Sequence, residues 1–341
     1  MRILKIILLI ILCCAGELQA QKDLLNKKNF FTSDTTLSVS VSSDFSHLVS
    51  QALKDTSIEE WQPAIVQFRI GEFRVDCNDA EIKARGKYRK EACYPPPVMV
   101  KFNHKNLPGR LKLVWPCKTN STLYEQYVLK EYLVYKMYNL LTEESFRVRL
   151  VKVSFVDTKN KIRSDERFGF FIEDIDQVAK RNKCFEMQED SLLHTESVQR
   201  KQMTDLALFQ YMIGNTDWNV PVKRNLKFLY CNSSGNPVAV PYDFDYSGIV
   251  NAKYAIPSET LPIISVKERY YLGFTRTMEE LRMAVRNIQD KKDKLFELIR
   301  DQEGLDAINK KEMIKYLEEF FEDTGSDRKL EELFIKKAKR G

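Results

Sequence analysis

Between Trp61 and Ile172 apolar and polar residues alternate in short runs, which predicts β-strands half-buried on one face. The clearest runs are Ala64–Ile70, Glu81–Lys87, Val98–Phe102 and Arg110–Trp115, separated by polar loops and by Pro95-Pro96-Pro97. Two further strands are expected near Arg147–Val156 and Phe168–Ile172. Between these groups the spacing changes. Leu123, Tyr127, Glu131, Val134, Tyr138 and Leu141 recur at gaps of three or four, which predicts one long helix. Beyond Asp176 the chain reads mostly as helix, with a single hairpin of strands at 225–230 and 238–242. These patterns predict an α+β fold with two lobes and a cleft between them: β-rich over 61–175 with one long helix, mainly helical over 176–341. Residues 21–60, polar and rich in Ser, Thr and Asp, are assigned to an N-terminal extension with a candidate helix at 45–54.

Residues 1–20 fit a secretory signal, with Arg2 and Lys5 before the apolar run Ile6–Ala15 and a cleavage site after Ala20. Export to a periplasm or the cell exterior is therefore expected, with lipid anchoring through Cys13 or Cys14 as the alternative. No membrane span is expected after signal cleavage. Five of the seven cysteines lie beyond the signal, so at least one thiol has no partner within the chain; Cys93 and Cys117 are the first candidates for a bridge. A net charge of +6 over 341 residues is too mild for a nucleic-acid binder. With no C-x-x-C motif and only His47, His104 and His194, neither a zinc site nor a His-based nucleophilic triad is supported.

The candidate chemistry lies in and around the hairpin. Ile213-Gly-Asn-Thr-Asp217-Trp-Asn219 precedes it, Asn225 opens its first strand and Tyr242-Asp243-Phe-Asp245 closes its second. If the hairpin folds about Ser234, Asn225 lies opposite Asp243. Two carboxylates and an amide oxygen at one strand end suit Mg²⁺ or Mn²⁺. A second clue is Glu131, a carboxylate on an otherwise apolar helix stripe, which needs a cation if buried. Lys112, between Leu111 and Leu113 on the preceding strand, is the candidate partner; Lys101 is the rival amine.

In order, these segments resemble the protein-kinase-like superfamily, nearest to the CotH-type spore-coat kinases, across roughly residues 61–300. Leu111-Lys112-Leu113 is similar to the third-strand lysine motif and Glu131 to its helical partner. Phe170-Phe-Ile-Glu173-Asp174 stands where the interlobe hinge would be. Gly214-Asn-Thr-Asp217 resembles the catalytic loop, Asn225 the metal-binding asparagine, and Asp243-Phe-Asp245 the metal-binding segment. Wider phrases, among them Val240-Pro-Tyr-Asp-Phe-Asp245, resemble a family of exported bacterial proteins of undefined function.

The resemblance implies that Asp217 handles the proton of an accepting hydroxyl, with Lys112 and Glu131 completing the catalytic set. Lys112, Glu173 or Lys101 would meet ATP or another nucleotide. Asn225 with Asp243 or Asp245 would hold the metal. The acceptor would be a protein or an envelope polymer. The pattern departs from the family in having no G-x-G-x-x-G (Ala84-Arg-Gly86-Lys-Tyr-Arg89 is the nearest stretch), no His-Arg before Asp217, and a gap of eight residues from Asp217 to Asn225. The runner-up function is a catalytically silent kinase-like binding module of the cell envelope. A third is a glycan-cleaving enzyme built on Asp217 and Asp243.

Overall fold

The computed structural model describes residues 25–54, 60–86, 93–119, 121–162, 165–187, 193–231 and 235–338; the expected signal and the segment 87–89 lie outside them. Two compact units emerge, Met1–Glu125 with Val148–Ile172, and Gln126–Arg147 with Glu173–Gly341.

The first unit is a closed barrel. Its strands are β1 (Leu37–Ser43), β2 (Gln62–Ile70), β3 (Phe73–Ala84), β4 (Val98–Lys101), β5 (Arg110–Val114), β6 (Val148–Asp157) and β7 (Arg167–Ile172), in spatial order β1-β2-β3-β4-β5-β7-β6. Closure comes from β1, antiparallel to β2 on one side and parallel to β6 on the other. Residues 37–54, which the sequence places in a polar extension, are thus part of the barrel wall and its covering helix α1 (Phe45–Lys54). Leu37, Val39 and Val41 alternate inward between serines, so a run that is polar by composition has an inner face that is apolar up to Ser43. The preceding segment is held by buried Arg149, whose Nε donates to Thr35 O at 2.9 Å and whose Nη1 donates to Phe30 O at 2.8 Å. Phe30, Phe68, Phe102 and Phe171 form a chain of edge and tilted ring contacts in the core. Cys93 and Cys117 are bridged, as expected, and among the described residues Cys77 is the free, buried cysteine.

The second unit is mainly helical: α2 (Thr122–Leu141, from Gln126 onward), α3 (Ile175–Arg181), α4 (Arg200–Met212), α5 (Met278–Gln289), α6 (Lys292–Asp301), α7 (Ala307–Asp323) and α8 (Asp327–Leu330). The long helix was expected to belong to the β-rich part, yet most of it clusters with the helical unit. It has no single apolar stripe: Gln126 through Tyr135 are all buried, and Leu123 at its start is exposed. A helix buried on every side needs no amphipathic period. Among the helices is a three-stranded antiparallel sheet of β8 (Cys184–Glu186), β9 (Leu226–Cys231) and β10 (Val238–Pro241), with β9 central. A second disulfide joins Cys184 to Cys231 across the β8–β9 pair.

The hairpin register differs by one residue from the expected one. Val238 pairs with Leu229 and Pro241 with Leu226, so Tyr242, not Asp243, lies opposite Asn225. Its N–H donates to Asn225 O at 3.1 Å. Paired positions thus sum to 467 instead of 468, and a one-residue slip reverses which face each side chain takes.

Candidate functional site

The loop carrying Asp217 begins where α4 stops. Gly214 ends the helix with φ +65°, and its N–H donates to Tyr211 O at 3.0 Å. A Cβ on Gly214 would overlap the Tyr316 hydroxyl, and the same hydroxyl lies against Gly248. Gly248 N–H donates to Gly214 O and Ile249 N–H to Ile213 O, each at 3.0 Å. Two glycines thus let the backbone after the Asp243 segment lie directly on the backbone before Asp217.

Asn215 then shapes the turn. Its Nδ2 donates to Gln210 Oε1 at 3.0 Å, and its Oδ1 accepts from Asp217 N–H at 3.0 Å. Asn225 Nδ2 donates twice to Asp217, to its carbonyl at 2.8 Å and to Oδ2 at 2.9 Å. This double bond of one amide nitrogen turns Asn225 Oδ1 away from Asp217. Arg224 Nη1 is at 3.5 Å from Asp217 Oδ1, but the guanidinium side chain is 60% exposed, so the contact is weak. Asn219, the nearer substitute for Asn225, accepts Val222 N–H on Oδ1 at 3.1 Å and so shapes the loop.

Asp243 N–H donates to Tyr135 Oη at 2.9 Å, and Phe244 packs on Tyr135 and Phe209 with ring centroids 4.7 and 5.9 Å apart. Both Asn225 (φ +52°) and Asp243 (φ +62°) are left-handed, a conformation Asn and Asp enter more readily than other side-chain-bearing residues. Asp217 holds its proton more tightly than an ordinary Asp, chiefly because it is partly buried and further because Asp243 is a nearby negative charge; Arg224 and Asn225 oppose the shift. Asp217, Asn225 and Asp243 therefore form one neighbourhood. Asp245 is 5% exposed and accepts from Tyr254 Oη at 3.0 Å.

Among the described residues, no group of three or more His, Cys, Asp and Glu is placed to share a metal ion. Asn225 with Asp243 or Asp245 would offer one amide oxygen and one carboxylate. That is compatible with Mg²⁺, which keeps several waters and binds through one or two carboxylates plus phosphate oxygens.

The remaining sequence candidates stand as follows. On β5, Leu111 and Leu113 are fully buried while half-buried Lys112 faces the other way, flanked in register by Met99 and Ile172. Lys101 is bound to Glu81 at 2.6 Å on the barrel exterior. Glu131 is 2% exposed on α2. Glu173 is 4% exposed, and its carboxylate is engaged by Arg181 Nε at 3.1 Å and Arg147 N–H at 3.1 Å, a brace within the unit. Sequence reasoning missed the pairing of Gly214 with Gly248 and the contact of both with Tyr316; the local signal was the glycine after α4.

No family model matches the chain, and no curated protein matches it. Among solved structures, the chain is similar to the Helicobacter pylori proinflammatory kinase CtkA, at 13% identity and a TM-score of 0.42, over 70% of this chain and 96% of that one.

Proposed function

We propose that this protein is an exported, kinase-like phosphotransferase that moves a phosphoryl group from a metal-bound nucleotide to a hydroxyl, most simply one on a protein. The observation that carries this reading is the double hydrogen bond from Asn225 Nδ2 to Asp217, made at the mouth of the hairpin whose other strand runs into Asp243. It holds an acid of raised proton affinity beside an amide oxygen and a second carboxylate. The order of a lysine-bearing strand, a long helix with a buried glutamate and then this hairpin supports the same reading.

In this reading Asp217 orients the acceptor hydroxyl and takes its proton as the new O–P bond forms and the nucleoside diphosphate leaves. Asn225 and Asp243 are the residues that would hold Mg²⁺ or Mn²⁺, which offsets the charge of the nucleotide phosphates. Asp245, which accepts from Tyr254 Oη, is the alternative carboxylate for the metal. Lys112 is the amine assigned to the nucleotide. Two disulfides support an oxidising compartment.

A catalytically silent module is the second reading, carried by the departures from the kinase pattern: no G-x-G-x-x-G and no His-Arg before Asp217. Transfer of γ-phosphate to the protein itself and to a generic protein acceptor separates the two. Asp217→Asn should lower transfer by about 10²–10⁴-fold while nucleotide binding is retained. Asp243→Asn should remove the dependence on Mg²⁺ or Mn²⁺. Transfer that is unchanged in both variants eliminates the assignment, and no transfer by the wild type under any nucleotide supports the silent module.

A further inference from the structure

Among the end of α2, the first turns of α4, the face of α5 and the start of β10, the second unit has a cavity of about 360 Å³, within the range of small-molecule sites. Leu141, Val238, Ala284 and Ile288 give it apolar walls, and its charged groups are Glu144, Asp205 and Lys201. Asp205 Oδ2 is 2.7 Å from Lys201 Nζ, the tip of a side chain that is 67% exposed, whereas Asp205 Oδ1 is buried and accepts no hydrogen bond. The same Asp205 lines a neighbouring cavity of about 270 Å³, so its carboxylate stands between two hollows. Glu144 accepts from Thr142 Oγ1 on Oε2 and, among the described residues, has no cationic partner. Half-buried Asn287 completes the polar part of the wall.

The two carboxylates act on a common point. The buried Tyr138 hydroxyl holds its proton more tightly than usual, chiefly through burial and further through the charges of Asp205 and Glu144, with Gln202 opposing. Asp205 itself holds its proton more tightly than an ordinary Asp, because burial outweighs the Lys201 contact. A carboxylate oxygen kept from water without a donor is costly, and a charged N–H group arriving from a ligand removes that cost.

We infer that this cavity binds a short alkyl diamine or polyamine, one ammonium meeting Asp205 Oδ1 and another Glu144, with the methylene chain against the apolar walls. Once Lys201 is set against Asp205, the lining keeps one uncompensated negative charge, and that charge selects a cation. Two acidic side chains without a third such ligand are a poor cage for a bare metal ion, and apolar walls favour an organic chain. The whole chain carries +6, so the attraction is local to the cavity rather than a property of the surface at large. The inference goes beyond the phosphotransferase reading and does not depend on it.

Isothermal titration calorimetry on the intact chain compares putrescine, butylamine and butanediol, which share a four-carbon chain and differ in charge. Putrescine should bind at least about tenfold tighter than butylamine, and butanediol should give no binding heat. Asp205→Asn and Glu144→Gln should each lower putrescine affinity about tenfold, whereas Lys201→Met, which removes the competing ammonium, should raise it. Equal affinity for putrescine and butanediol, no heat from any of the three, or putrescine affinity unaltered in both carboxylate variants overturns the proposal. Should Asp205→Asn not fold, an unaltered affinity in Glu144→Gln does the same. Heat from Mg²⁺ that Asp205→Asn abolishes, with none from putrescine, overturns it in favour of a metal site.

Discussion

Single side chains in this protein are used against their ordinary preferences in two places. At the hairpin mouth, Asn225 and Asp243 are held in left-handed backbone, and Asp217 is kept partly out of water beside another carboxylate. On α2, Lys130 is buried next to Glu131, yet adjacent helical positions do not face one another, so one does not simply neutralise the other. Lys130 lies over the Tyr127 ring, with Nζ 5.3 Å from its centroid. Burial pulls its pKa from 10.5 down to about 8; Glu312 and Asp306 oppose the shift and Lys267 adds to it.

The consequence for stability has a definite sign. Between pH 8 and 10.5 the unfolded chain binds more protons at this lysine than the folded one, so stability rises with pH across that window. Below pH 8 the cost of the buried charge is fully present. Lys130→Met should therefore stabilise the fold at pH 7 by up to about 3 kcal/mol, and the gain should vanish near pH 10.5. Urea denaturation of both proteins at pH 7, 9 and 10.5 checks this; a gain that is constant with pH refutes it.

Among the elements, the β8–β9–β10 sheet and the glycine contact fix the site. Cys184–Cys231 closes a sequence separation of 47 across one register pair. Replacing both cysteines by serine should cost about 2–4 kcal/mol in chemical denaturation, with transfer activity lowered less than stability. Gly214→Ala is the more damaging change. It combines a positive φ with an overlap on the Tyr316 hydroxyl, itself donating to Lys267 O at 3.1 Å, so a loss of more than about 2 kcal/mol is expected. A thermal melt within a degree of wild type would show that the two backbones are not held as described.

The alternating runs of β2, β4 and β5 were legible in sequence because one inner face must be apolar. That β1 belongs with them was hidden by its serines, and the length of the hairpin connection left its register open by one residue. Cys93 with Cys117 was readable from flanking strands. Cys184 was not, because β8 has only three residues and no alternation to mark it.

At the scale of the molecule, the chain passes between its two units three times, after Glu125, Arg147 and Ile172. Each unit is therefore discontinuous or depends on an inserted segment, and function is best measured on the intact chain. A nucleotide with Mn²⁺ that binds the native state should raise its apparent stability by about 2.7 kcal/mol at a hundredfold excess over Kd. Lys112→Met and Asp243→Asn should each reduce that rise, read as a smaller thermal shift at equal ligand. No shift with any nucleotide would leave the silent module as the better account.

The amino-acid sequence by itself determined the strand and helix classes, the α+β order and the identity of Asp217, Asn225 and Asp243 as one group, because periodicity and turn residues act over a few positions. Tertiary structure alone decided that residues 37–43 close a barrel, that Tyr242 rather than Asp243 faces Asn225, and that Tyr254 donates to Asp245. Those outcomes depend on hydrogen bonds and close packing between distant segments, such as Gly214, Gly248 and Tyr316, whose mutual fit no local pattern encodes.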